Sequence, residues 1–182
     1  MHQLSGVIEL LDGHSGRPVL GAAPRFRLNG KAIAPQPRAQ ARYVLIDVPP
    51  GHYRLDVDAP TFLPYGVEFE LKPGATLGDA WLRCVLDPGP AYDYPPQATL
   101  IRGALDSTWA AAEISARYDT ARGRARRVRT RCAPGGAYVL ALSGQLADPT
   151  AVTLSFALAD GQARELQLAV TPGRSHRAGA PH

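Results

Sequence analysis

Tyr43-Val-Leu-Ile-Asp-Val48-Pro-Pro-Gly51-His-Tyr53-Arg-Leu-Asp-Val57 is the stretch whose reading decides the fold. Its first part is rich in β-branched and aromatic residues, which suit a pleated, half-buried strand. Pro49 and Pro50 lack the amide that a ladder needs, so the strand ends there, and Gly51 lets the chain turn. From His52 the residues alternate. Tyr53, Leu55 and Val57 fall on one face, and His52, Arg54, Asp56 and Asp58 on the other. A period of two with one apolar face predicts an antiparallel strand packed on a core.

Neighbouring segments extend the pattern. Leu4–Leu11 is a short apolar run closed by the turn cluster Asp12-Gly-His-Ser-Gly16. Pro24-Arg-Phe-Arg-Leu28 alternates and meets Asn29-Gly30, a hairpin signal. Val67-Glu-Phe-Glu-Leu71 repeats the alternation, and Trp81–Leu86 closes the unit before Asp87-Pro-Gly-Pro90. Short strands at this spacing predict a β-sandwich. The second half repeats the first at an offset of 95 to 97 residues: Gly6-Val-Ile8 with Gly103-Ala-Leu105, and Tyr43-Val-Leu45 with Tyr138-Val-Leu140. Val152–Leu158 takes the place of the strand around Tyr53, Arg164–Val170 that of Val67–Leu71, and Pro172-Gly173 that of Pro73-Gly74. The fold class expected is all-β, two tandem antiparallel Ig-like sandwiches. The boundaries expected are a first sandwich over 1–88, a Pro/Tyr linker over 89–98, a diverged second sandwich over 99–173 and a flexible tail over 174–182. Pro88, Pro90, Pro95 and Pro96 stiffen the joint.

Composition fits this and excludes other classes. The chain has 182 residues, 45% hydrophobic and 20% charged, with Gly 18 and Pro 17. It is too apolar for a disordered protein, and its Gly and Pro content disfavours long helices. No apolar run approaches the roughly 20 residues of a membrane helix. Met1-His-Gln-Leu-Ser-Gly6 shows no basic region followed by an apolar stretch, so the expectation is no signal peptide and a protein that is cytoplasmic as synthesised. Cys84 and Cys132 stand one per half with no CxxC, which fits small apolar strand residues better than a zinc site.

The net charge of +4 lies wholly in the second half. There Arg117, Arg122, Arg124, Arg126, Arg127, Arg129 and Arg131 surround one acid, Asp119. Such a cluster suits an acidic partner, an acidic lipid surface or nucleic acid. The plainer reading is an edge strand kept from aggregating by charge. Nucleic acid is disfavoured, because only Tyr118 and Tyr138 are near enough to supply stacking.

Tyr43–Leu55, with Gly6-Val-Ile8 and Asp12…Gly16-Arg-Pro-Val19, resembles the carboxypeptidase regulatory-like domains of the wider transthyretin-like, pilin-B-type group. The resemblance covers about residues 4–87. The second half is similar but degenerate, since Gly144-Gln-Leu-Ala-Asp-Pro149 stands where Pro-Gly-x-Tyr would be. It implies a seven-stranded sandwich with a non-catalytic role in spacing, adhesion or docking. Gly51, Pro49, Pro50 and Tyr53 then have structural roles, with the Tyr53 hydroxyl bonding to backbone near the corner.

Catalytic relatives of the group are not matched. The C-terminal Tyr-Arg-Gly-Ser of transthyretin-like hydrolases is absent from Ser175-His-Arg-Ala-Gly-Ala-Pro-His182. Intradiol dioxygenases need two Tyr and two His on iron, whereas His14, His52 and His176 are scattered. Pilin-type Lys–Asn cross-links would need an Asn other than Asn29, which sits in a turn beside Lys31. GxSxG, HExxH, P-loop and GxGxxG patterns are missing, and Asp56, Asp58, Glu68 and Glu70 read as solvated acids. The expectation is therefore no enzyme, no catalytic or metal residue and no cofactor.

The candidate partner-binding residues are Tyr92, Tyr94, Phe62, Tyr65, Arg124, Arg126, Arg127, Arg129 and Arg131. Tyr and Pro lose little entropy on binding, so Tyr92-Asp-Tyr94-Pro-Pro96 suits an interface, or packing between the sandwiches. Phe62-Leu-Pro-Tyr65 suits a patch or a cap on its own sandwich, and Trp109 suits a partly exposed strand. Tyr92–Gly103 is similar to segments in accessory proteins of phage tails and contractile injection systems. Two functions are carried forward. One is a structural or adaptor protein docking onto other subunits of a bacterial assembly. The alternative is a carbohydrate- or surface-binding adhesion module.

Overall fold

The computed structural model describes residues 3–74, 76 and 78–179. The fold is all-β, without a helix among the described residues, and the chain divides into two compact bodies, Met1–Pro88 and Gly89–His182. Among the described residues no helix is long and apolar enough to cross a membrane.

The first body holds β1 (Leu4–Asp12), β2 (Arg25–Leu28), β3 (Lys31–Ile33), β4 (Gln36–Arg38), β5 (Arg42–Ile46), β6 (Gly51–Asp58), β7 (Tyr65–Leu71) and β8 (Trp81–Leu86). They form two sheets, ordered β4-β5-β1-β8 and β3-β2-β6-β7. β1 is central to the first, antiparallel to β5 and parallel to β8. Ile8, Leu10, Leu45, Cys84 and Leu86 from one sheet meet Phe26, Leu55 and Val57 from the other in a single core. That is a sandwich, each fully buried aliphatic side chain contributing about 1.5–3 kcal/mol. Asn29 and Gly30, with φ of 49° and 78°, make the two-residue β2–β3 turn whose twist matches paired strands.

The second body holds β9 (Thr99–Ala104), β10 (Glu113–Asp119), β11 (Ala125–Arg131), β12 (Ala137–Leu142), β13 (Thr150–Ala157), β14 (Ala163–Val170) and β15 (Ser175–Arg177). Its sheets are ordered β12-β9-β15 and β11-β10-β13-β14. β9 is antiparallel to β12 and parallel to β15, as β1 is to β5 and β8. Leaving β4 aside, the two bodies share one topology strand for strand. Ile101, Ile114, Tyr138, Leu140, Leu154 and Phe156 are central to its core.

Several local expectations are corrected. Residues 174–182 are not a tail throughout, because Ser175–Arg177 pairs with Leu100–Arg102 and Leu100 N–H donates to Arg174 O at 2.9 Å. Ala180, Pro181 and His182, the end of that tail, lie outside the described residues, as do Met1 and His2 of the N-terminal reading. Gly89–Ala98 belongs to the second body, where Arg102 Nη1 donates to Pro90 O at 2.6 Å. Trp109 lies in the turn after β9, its amide bonded to Asp106, and packs against the core instead of forming a strand. Cys132 follows β11 and is half-buried, while Cys84 lies inside β8, and both thiols are free.

The crossover from β5 to β6 is held by the Tyr53 hydroxyl, which donates to Pro49 O at 2.8 Å. The crossover from β12 to β13 is held differently. There Tyr118 of β10 donates through its hydroxyl to Ser143 O at 3.1 Å and accepts from Ser143 N–H at 2.8 Å.

Candidate functional site

β11 is an edge strand, paired among the described residues only with β10. Strand alternation sorts its side chains. Thr130, Val128 and Arg126 lie opposite Ile114, Ala116 and Tyr118, which face the core. Arg131, Arg129 and Arg127 lie opposite Glu113, Ser115 and Arg117 and therefore face outward. Arg127 Nη2 donates to Ser115 Oγ at 3.2 Å, Arg129 Nε lies 3.5 Å from Glu113, and Arg117 Nη2 donates to Glu165 at 2.6 Å. Four guanidinium groups on this face thus stand against Glu113, Glu165 and the terminal Asp119. On the same face β13 presents only Ala151, Thr153, Ser155 and Ala157.

Arg122 and Arg124 sit on the β10–β11 turn, closed by Thr120 N–H to Arg124 O at 2.9 Å and Arg124 N–H to Thr120 Oγ1 at 3.1 Å. Among the described residues, Arg122, Arg124 and Arg126 have no ion-pair partner. The five candidate arginines therefore share one strand and its turn, but Arg126 occupies the opposite face of β11 from Arg127, Arg129 and Arg131. This surface can make charge-assisted bonds to carboxylates along an unpaired backbone edge.

The aromatic candidates stand on other segments of the chain. Phe62 and Tyr65 are half-buried against the first core, with the Phe62 amide bonded to Ala59 O at 3.1 Å. Tyr65 lies against the Cys84 thiol, whose pKa burial pushes up to about 11 while the Tyr65 contact offsets part of the rise. Tyr92 and Tyr94 pack edge to face with ring centroids 4.7 Å apart.

One cluster was not signalled by any motif. Glu9, on the outer face of the central strand β1, is 7% exposed. Its carboxylate meets Arg42 Nε at 3.2 Å, Arg83 Nε at 3.3 Å and Trp81 Nε1 at 3.4 Å. Arg42 also lies over the Trp81 ring, 5.1 Å from its centroid. Burial raises the Glu9 pKa, but the bonds from Arg42, Arg83 and Trp81 outweigh it and hold the carboxyl below its ordinary value. The signal was a lone acid inside an apolar strand; its partners come from strands 33 and 74 residues away. Val7, Leu11, Val44, Trp81 and Val85 surround it on the same sheet face.

No family model matches the chain, and no curated protein matches it. Among solved structures it is similar to the TIE protein of Bacillus anthracis, at 12% identity and a TM-score of 0.37, over 98% of this chain and 34% of that one. A leucine-rich repeat protein from Bacteroides thetaiotaomicron VPI-5482 is similar at 10% identity and a TM-score of 0.29, over 97% of this chain and 26% of that one. The C-terminal fragment of the pilus adhesin SpaC from Lactobacillus rhamnosus GG is similar at 12% identity and a TM-score of 0.25, over 99% and 98% of the two chains. The chain spans only 34% and 26% of the first two structures. At TM-scores this low the likenesses bear on neither fold nor function.

Proposed function

We propose that this protein is a non-catalytic, protein-binding component of a larger bacterial assembly, and that it docks through the arginine-rich edge strand β11. The observation that supports this reading is the seven-residue length of β11, with Arg127, Arg129 and Arg131 facing outward on a strand that, among the described residues, pairs with β10 alone and ends its sheet. An edge strand supplies main-chain affinity for an added strand, and its side chains supply selectivity. Here the selectivity is for carboxylates.

The test is expression from the native locus with purification at about 50 mM and about 200 mM salt, an interval over which exposed ion pairs are strongly screened. A multi-protein particle should co-purify at low salt, dissociate at high salt, and be lost for R127E/R129E. Recovery only as a free protein at both salts overturns the reading. The neighbouring genes sharpen it: sheath, tube or baseplate genes specify the kind of particle, whereas carbohydrate-utilisation genes favour an adhesion module.

A further inference from the structure

We infer that the acidic partner of β11 is the β7 edge of a second copy of this chain, so that copies join head to tail through a β7–β11 pair. This rests on reading β11 as a docking edge. β7 is the matching feature of the first body. It is also seven residues long, ends its sheet and, among the described residues, pairs only with β6. His52, Arg54 and Asp56 lie opposite Glu70, Glu68 and Gly66, so those three β7 residues face outward. The Glu68 and Glu70 side chains are 83% and 45% exposed, and their contacts, with the Arg54 guanidinium at 4.0 Å and the His52 ring at 3.9 Å, are long. One edge therefore offers acids at alternate positions, and the other offers arginines at alternate positions.

Register and direction agree. An antiparallel pair that sets Glu70 against Arg127 sets Glu68 against Arg129 and Gly66 against Arg131. On the inner side it sets Phe69 against Val128 and Val67 against Thr130, aromatic and β-branched pairs of the kind that stabilise sheets. A two-residue slip sets Lys72 against Arg127 and is disfavoured. In the shared topology β11 is the equivalent of β3, and β7 lies at the other end of the sheet. Joining β7 of one copy to β11 of the next therefore continues the alternation of strand directions, with both outer faces on one side. Like edges cannot substitute, since β11 on β11 opposes arginines and β7 on β7 opposes glutamates. The contact is heterologous and propagates into a ring or an open chain.

The experiment uses the full chain in sedimentation velocity at about 50 mM salt over a range of concentrations. The variants are E68R/E70R and R127E/R129E, with circular dichroism reporting that each is folded. The wild type should self-associate, and each double variant should weaken association at least about tenfold. An equimolar mixture of the two variants should regain it, because each then supplies the edge the other needs. Hydrogen exchange should show concentration-dependent protection in residues 65–71 and 125–131 of the wild type, a readout independent of substitution. A monomeric wild type, association untouched by either variant, or a mixture that stays monomeric overturns the inference. If the wild type is monomeric and only R127E/R129E loses the native particle, the inference falls and the docking reading stands. If neither variant loses the particle, both fall.

Discussion

The two bodies solve one topology with different chemistry. In the first, the face formed by β3-β2-β6-β7 sets Arg25, Arg27 and Arg54 among Asp56, Asp58, Glu68 and Glu70. Arg54 alone bridges Asp56 at 3.0 Å and reaches Glu68 at 4.0 Å. In the second, the equivalent face sets Arg117 of β10 beside Arg127, Arg129 and Arg131 of a seven-residue β11, whose counterpart in the first body is the three-residue β3. The difference shows that surface charge and edge length can be changed while strand order is kept. The inner slots differ as well. Ile8 lies opposite Tyr43 in the first body and Gly103 opposite Tyr138 in the second. Ile8 fills its core and leaves Tyr43 half-buried against Phe26, ring centroids 4.7 Å apart. Gly103 instead admits the Tyr138 ring, which is 1% exposed, and a Cβ on Gly103 would lie 2.5 Å from that ring.

The largest expected effect comes from breaking this exchange of volumes. Gly103→Val forces a β-branched side chain into the Tyr138 ring and should destabilise the second body by about 3 kcal/mol or more. Ile8→Ala should cost the first body about 2–5 kcal/mol through the cavity it leaves. In urea unfolding, each substitution should move only the transition of its own body. Adding Tyr138→Leu to Gly103→Ala should recover part of the loss seen for Gly103→Ala alone. An unchanged midpoint for Gly103→Val would show that Tyr138 can leave its position at little cost.

The next effect separates the bodies by pH. In register, Glu9 opposite Arg42 corresponds to Ala104 opposite Ala137, so the second body has no counterpart of the acid cluster. The folded state holds the Glu9 pKa below that of the unfolded chain, through Arg42, Arg83 and Trp81 acting against burial. Its contribution is complete above the unfolded value of roughly 4.3 and is lost as pH falls through the folded value. Glu9→Gln should therefore cost the first body about 1–2 kcal/mol at neutral pH, less than a fully buried pair because both arginines are partly solvated. The gap between wild type and variant should close in acid. A gap independent of pH would mean that packing, not charge, holds the cluster.

Legibility in the sequence followed the range of the interactions. β6 and β7 were readable because their alternation is local, and Asn29-Gly30 announced its hairpin by the φ values it requires. β15 was not readable, since three residues among Gly, Pro and His acquire strand geometry only from parallel pairing with β9, 75 residues away. Likewise Glu9 showed itself as an acid in an apolar run, while its partners depend on the antiparallel register of β1 with β5 and the parallel register of β1 with β8. The arginines of β11 were conspicuous as a cluster. Their division between two faces became visible only when the pairing with β10 fixed which residues oppose the buried Ile114, Ala116 and Tyr118.

The crossover anchors give a finer comparison. Tyr118→Phe removes a hydroxyl that both donates and accepts at Ser143, whereas Tyr53→Phe removes one bond to Pro49 O. The expected losses are about 1–2 kcal/mol for Tyr118→Phe and about 1 kcal/mol or less for Tyr53→Phe, which is more exposed. Both are measurable by the same urea titration. Equal losses would mean that solvent replaces the second bond at Ser143.

The smallest effect has the opposite sign. Among the described residues the buried Tyr138 hydroxyl has no hydrogen-bond partner, and burial, with the Cys132 thiol adding to it, pushes its pKa up to about 12. A buried, unsatisfied hydroxyl carries a desolvation penalty with no bond to offset it. Tyr138→Phe keeps the ring that fills the space over Gly103 and its edge contact with Phe156, 6.0 Å between centroids, and removes only the penalised group. The second body should then be unchanged or more stable by up to about 1 kcal/mol, while Tyr118→Phe in the same body is destabilising. A clear loss on Tyr138→Phe would reveal a partner for that hydroxyl, such as an ordered water, and would move Tyr138 from a volume-filling role to an anchoring one.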